Sequence, residues 1–164
     1  DFRVRLGVAT GDTLVGMVGS TSKKSFTVMG DTVNLASRLE GLNKVFGTQI
    51  MLNEECARLA ERDIEVRELD VVRVYGKADA ERVYELLGRR GEVPPDVERL
   101  VATFADALAH YRARRWRDAE LGFKACLDIR PDDGPSHEYL TRIAAFAEHP
   151  PAENWDGVWE ASHK

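Results

Sequence analysis

The feature that most constrains this chain is a change of hydrophobic period at Gly30-Asp31. Before it, apolar residues alternate with polar ones in short runs, as in strands buried on one face. After it, Leu35, Ala36, Leu39, Leu42 and Phe46 recur at three- and four-residue intervals, the stripe of an amphipathic helix. Asp31 is the expected N-cap and Gly47 the expected stop. Strands are expected over Phe2–Val8, Leu14–Val18 and Ser25–Met29, with Thr10-Gly11-Asp12-Thr13 as a turn. Past the helix, Thr48–Leu52 reads as a strand and Asn53 as the cap of a short helix. Val66–Leu69, Val71–Tyr75 and Arg82–Leu86 read as a late meander. Residues 1–91 therefore form an α+β unit.

Gly88–Pro95 mixes glycine, arginine and paired prolines, the composition of a connection, so a second unit is expected over residues 92–164. There Phe104, Ala107, Leu108, Tyr111, Trp116, Ala119, Phe123, Leu127 and Pro131 fall at helical spacing in two runs. This resembles one tetratricopeptide unit, although the interval from Tyr111 to Ala119 is one residue short of that pattern. Pro135–Ala147 suggests a third helix, and Trp155–Trp159 a segment folding back as a cap. Such spacing serves plain helix-pair packing as readily as a groove for a protein partner. A total of 164 residues suffices for two small units with separate cores.

Composition narrows the function classes. Charged residues make up 31% and the net charge is −5, so no broad basic surface for nucleic acid exists and an anionic ligand needs a local basic pocket. No apolar run approaches the roughly 18 residues that cross a bilayer. The two cysteines, Cys56 and Cys126, lack the spacing of a zinc site or a disulfide framework, which fits a reducing, cytoplasmic setting. The four histidines, His110, His137, His149 and His163, are scattered through the tail without ligand spacing. The chain opens directly on an alternating strand, as a fragment of a longer protein would.

Asn34 and Arg38 stand four apart on the first helix, so they share a face opposite the leucine stripe. A guanidinium is a good phosphate partner, and a nearby amide can hold a second oxygen. Spacing alone is also that of a solvated helix face. The surrounding sequence adds what spacing lacks. Thr27-Val28-Met29-Gly30-Asp31-Thr32-Val33-Asn34-Leu35-Ala36-Ser37-Arg38-Leu39-Glu40 is very similar to the signature of class III adenylate and guanylate cyclases. Gly7-Val8-Ala9-Thr10-Gly11, Gly16 and Gly19-Ser20 stand where that family has them. The resemblance spans roughly residues 2 to 87 and implies the C-terminal part of a ferredoxin-like class III cyclase domain.

By that resemblance the reaction is cyclisation of ATP to 3′,5′-cyclic AMP with release of diphosphate. Asn34 would orient the ribose, and Arg38 would bind the phosphate where charge develops. Thr27 would read the purine edge, with a threonine there favouring adenine, and the Val28 backbone would lie against the base. Arg73 or Lys77 would neutralise the triphosphate, in a segment where Tyr75 replaces a usual lysine. Lys23 and Lys24 read as a charged turn. The family uses two magnesium or manganese ions, whose aspartate ligands lie upstream of this chain, so no metal site is assigned to Asp12 or Asp31. The family places its site between two catalytic domains, implying a homodimer, and the isolated chain is expected to be inactive. The parent protein is expected to be cytoplasmic, with a membrane-anchored sensor a further suggestion. The rival readings are a non-catalytic cyclase-homology regulatory module and a helical-repeat interaction module.

Overall fold

The computed structural model describes residues 4–20, 23–73, 80–152 and 154–158. Lys77, Tyr75, the start of the expected first strand, Trp159 and His163 lie outside them. In chain order the elements are β1 (Leu6–Val8), β2 (Leu14–Gly19), β3 (Lys24–Met29), α1 (Asp31–Phe46), β4 (Ile50–Asn53) and α2 (Glu54–Leu59). β5 (Ile64–Arg73), β6 (Ala80–Arg89), α3 (Pro95–Arg112), α4 (Trp116–Ile129) and α5 (Gly134–Glu148) follow. The fold is α+β, a sheet followed by helices. Among the described residues no helix is long and apolar enough to cross a membrane.

The main sheet has the order β1-β4-β6-β5. β1 and β4 are parallel, with Leu6 opposite Ile50 and Val8 opposite Leu52, so α1 belongs to the connection that two parallel neighbours require. α1 lies close on β1 because Gly7 has no side chain: a Cβ there would stand 2.0 Å from the Ala36 carbonyl oxygen. Fully buried Asn43 locks the pair. Its Nδ2 donates to the carbonyls of Leu6 (2.9 Å) and Leu39 (3.0 Å), while its Oδ1 accepts from Thr48 Oγ1 (2.7 Å). Leu35, Leu39 and Phe46 complete the buried face. Gly47 ends the helix in the left-handed region at φ 67°, as its sequence position predicts.

β2 and β3 pair antiparallel as a two-stranded ribbon. Two local expectations change. The N-cap of α1 is Gly30, with φ 136°, and Asp31 is already the first helical residue, its carboxylate at the positive end of the helix dipole. The two pieces of the late meander around Asp70 are one ten-residue strand, β5, whose register against β6 shifts between Glu68 and Asp70. The irregularity admits a buried carboxylate: Asp70 Oδ1 accepts from the Val71 amide at 2.8 Å, and Oδ2 reaches Arg142.

The core does not divide at the connection near residue 92. Leu35, Leu39 and Phe46 of α1, Met51 of β4, Leu69 of β5 and Val83 of β6 form one cluster with Phe104, Tyr111, Phe123 and Tyr139 of the tail helices. Phe123 stacks on Tyr139 with ring centroids 4.8 Å apart, and Tyr139 meets Phe46 at 6.4 Å. The physical reason is geometric. One face of β5 and one flank of α1 are apolar, and α3 to α5 cover them, as any apolar face demands.

Polar contacts reinforce the junction. Arg67 of β5 is 2% exposed and pairs with Asp133 at 2.9 Å and with Glu85 on β6. Asp133 also caps α5, accepting from the Ser136 amide at 3.1 Å. Tyr139 Oη donates to the Leu69 carbonyl at 2.7 Å. Burial disfavours the Arg67 and Arg142 cations, but the carboxylates beside them more than offset it, so both pKa values rise above arginine's ordinary value. These arginines stay charged at every pH at which the chain folds.

Candidate active site

The site is built on the outward face of α1. Asn34 is exposed and Arg38, one turn further on, is half-buried. Arg38 leans across to the end of β5, where its Nη1 donates to the backbone carbonyl of Arg73. The structure thus brings Arg38 and Arg73 together, although 35 residues separate them. The Arg73 guanidinium is itself engaged: its Nη2 forms an ion pair with Asp156, in the segment after α5. Neither period nor spacing could have signalled Asp156, because an isolated aspartate in an irregular tail carries no pattern.

Thr27 and Val28 stand on β3, the strand that leads into Gly30 and α1. Thr27 is half-buried opposite Gly16, and Val28 is 44% exposed opposite Val15. Lys24 pairs with Gly19 near the tip of the same ribbon. A cavity of about 680 Å³ lies on the other side of the α1 N-terminus, lined among others by Asp12, Asp31, Asn53, Glu55 and Glu81. Four carboxylates make it a poor host for a polyphosphate. There Thr32 Oγ1 donates to the Asp12 backbone carbonyl at 2.8 Å, tying the first turn of α1 to the segment between β1 and β2.

Among the described residues no three histidine, cysteine, aspartate or glutamate side chains converge as a metal ion requires. The described donors do not fit a two-ion site. His110 lies 2.8 Å from Arg115 and His137 2.9 Å from the Pro131 carbonyl, both remote in sequence from α1.

A glycine-linked ribbon thus feeds a helix that carries Asn34 and Arg38 on its outward face, beside a mixed sheet. The chain belongs to the adenylate and guanylate cyclase catalytic domain family, whose pattern it matches over residues 1–88. It is 39% identical over 88 residues to adenylate cyclase 1 of Rhizobium meliloti, covering 54% of this chain and 13% of that protein. It is 30% identical over 141 residues to the terminal-differentiation-specific adenylate cyclase of Dictyostelium discoideum, covering 84% of this chain and 7% of that protein. Among solved structures it resembles the adenylyl cyclase CyaB from P. aeruginosa, with 28% identity and a TM-score of 0.46, covering 55% of this chain and 45% of that one. The chain thus spans a small part of the curated relatives it matches.

Proposed function

We propose that this chain is the base-, ribose- and phosphate-contacting part of an adenylate cyclase that converts ATP to 3′,5′-cyclic AMP and diphosphate. The carrying observation is that Asn34 and Arg38 stand one turn apart on the outward face of α1, with Arg38 reaching the end of β5. The names of the relatives, adenylate cyclases from a bacterium and an amoeba, support the choice of ATP.

In this reading the ribose 3′ oxygen forms a bond to the α-phosphorus as the bond to the bridging oxygen of diphosphate breaks. Arg38 stabilises the charge that gathers on the phosphate oxygens, and Asn34 holds the ribose so that attack is in line. Thr27 reads the adenine edge with the Val28 backbone beside it. Arg73, at the end of β5, or Lys77 supplies positive charge to the triphosphate. Magnesium or manganese ions, held by residues outside this chain, would supply Lewis-acid charge stabilisation when bound.

The active assembly is a homodimer of complete catalytic domains, with residues 92–164 as a helical tail. Tail packing against α1 and β5 supports an integral role over a free interaction module. Two assays test the proposal together. The complete protein should make cyclic AMP from ATP, whereas the 164-residue chain with manganese and ATP should make none. Cyclic AMP from this polypeptide alone would refute its predicted inactivity, and a complete protein without turnover would favour the regulatory reading.

A further inference from the structure

We propose that Asp156, in the tail, is a positioning residue for the nucleotide site: it holds Arg73 at the end of β5, and the Arg73 carbonyl in turn holds Arg38. The proposal rests on the reading above that Arg38 contacts phosphate.

The chain of contacts is continuous. Asp156 Oδ2 pairs with Arg73 Nη2, and the Arg73 carbonyl accepts from Arg38 Nη1. The pair itself is half exposed, with side chains 44% and 45% accessible, and an isolated surface ion pair stabilises little. What distinguishes this one is how firmly the aspartate is delivered. Asp156 Oδ1 is taken by the Val158 amide at 3.2 Å, which fixes the carboxylate and leaves Oδ2 directed at Arg73. The neighbouring Trp155 is boxed by Tyr111, Trp116 and Phe146, with ring centroids 5.5, 5.7 and 5.3 Å away. Its Nε1 donates to the Val158 carbonyl at 2.8 Å, closing the turn that carries Asp156.

Arg114 completes the mount. It occupies the turn between α3 and α4 with φ 58°, a backbone conformation disfavoured for residues with side chains. Its guanidinium donates to the carbonyls of Ala152 and Trp155, and lies 5.7 Å from the Trp155 ring. Rigid aromatics and a charged clamp thus bring a tail carboxylate to β5, one turn of contacts away from α1. The same strand is held further down by Arg142 to Asp70 and Tyr139 to Leu69. The tail also reaches the strand through Asp133 on Arg67, so it holds β5 along its length, and Asp156 is the contact nearest Arg38.

A guanidinium that must meet a developing charge gains rate from being held in place, because small displacements of a catalytic group cost heavily. Removing the Asp156 charge takes one anchor from the Arg73 side chain; the strand stays paired with Ala80 of β6, but the Arg73 carbonyl gains play and Arg38 is placed less sharply. The alternative use of the same contact is screening, in which the carboxylate occupies Arg73 against the triphosphate; it predicts the opposite sign.

The test compares Asp156→Asn and Asp156→Glu in the complete protein, with Asp118→Asn on the outer face of α4 as control. The expected result for Asp156→Asn is a fall in kcat of roughly ten- to a hundredfold with KM for ATP little changed and the melting temperature preserved. Asp156→Glu should recover most of the rate, and the control should match the wild type. An unchanged kcat, or a rise in activity, overturns the proposal. A loss of rate in proportion to a loss of melting temperature, without rescue by glutamate, overturns it equally. A second readout needs no turnover. In the 164-residue chain, Asp156→Asn should speed hydrogen exchange at the guanidinium NMR signals of both Arg73 and Arg38. A change at Arg73 with none at Arg38 overturns the linkage, whereas a wild-type protein without cyclase activity would count against the functional reading alone.

Discussion

Arg142 Nη1 lies 2.7 Å from Asp70 Oδ2, with the two side chains 3% and 4% exposed, joining α5 to the strand that ends beside Arg38. The cation lies 5.2 Å from the Phe46 ring and 4.9 Å from that of Tyr139, so one guanidinium touches α1, α5 and β5. Two charges so far from water are tolerable because they satisfy each other, with Glu138 accepting from Arg142 Nε and the Val71 amide donating to Asp70 Oδ1.

Truncating one partner therefore strands the other. Arg142→Ala should destabilise the chain by about 3–5 kcal/mol, measured by urea unfolding, because Asp70 is left charged in the core. Replacing both together, Asp70→Leu with Arg142→Met, should cost less than the single truncation, since no charge is stranded at the buried Asp70 position and Glu138, 21% exposed, keeps access to water. Equal or greater loss in the double variant would show that packing, and not charge, is what the pair supplies.

Asn43 makes a second prediction. Its side chain serves the Leu6 carbonyl, the Leu39 carbonyl and the Thr48 hydroxyl, all at 3.0 Å or less. Asn43→Ala leaves buried polar atoms without partners and should cost about 1–3 kcal/mol in a denaturant titration.

These contacts separate what was legible in the sequence from what was not. The period change at Gly30, the Asn53 cap, with its Oδ1 3.2 Å from the Cys56 amide, and the Gly47 stop are local, and local chemistry is written in adjacent residues. The family signature is likewise contiguous from Thr27 to Glu40. Arg142 with Asp70, and Arg73 with Asp156, lie 72 and 83 residues apart, and no period or motif links such partners. The continuous core escaped the sequence for a related reason. A glycine- and proline-rich connection marks where the chain turns, but says nothing of which apolar faces meet afterwards. The cap lies one residue before the Asp31 that side-chain chemistry favours, because Gly30 takes φ 136°, outside the helix, and the helical backbone starts at the aspartate itself.

Alkaline stability follows from the core. Burial pushes the Cys126 thiol from its ordinary 9.0 up to about 11. Between those values the unfolded chain has lost the thiol proton and the folded chain keeps it, so stability falls as pH rises; below 9.0 both hold it and stability is flat. Burial also raises the phenols of Tyr111 and Tyr139, which adds to the fall at higher pH in the same direction. The urea midpoint should hold steady to pH 9.0 and then decline, and Cys126→Ser should shallow the first part of that decline. In the folded state a thiol reagent should label half-buried Cys56 well before buried Cys126.

Activity of the complete protein in the presence and absence of Arg38 tests the central claim most directly. With ATP and manganese, Arg38→Ala should lower the kcat for cyclic AMP formation by about 100-fold or more while the melting temperature stays within a few degrees of the wild type. An Arg38→Ala protein that folds and turns over ATP at the wild-type rate would contradict the account.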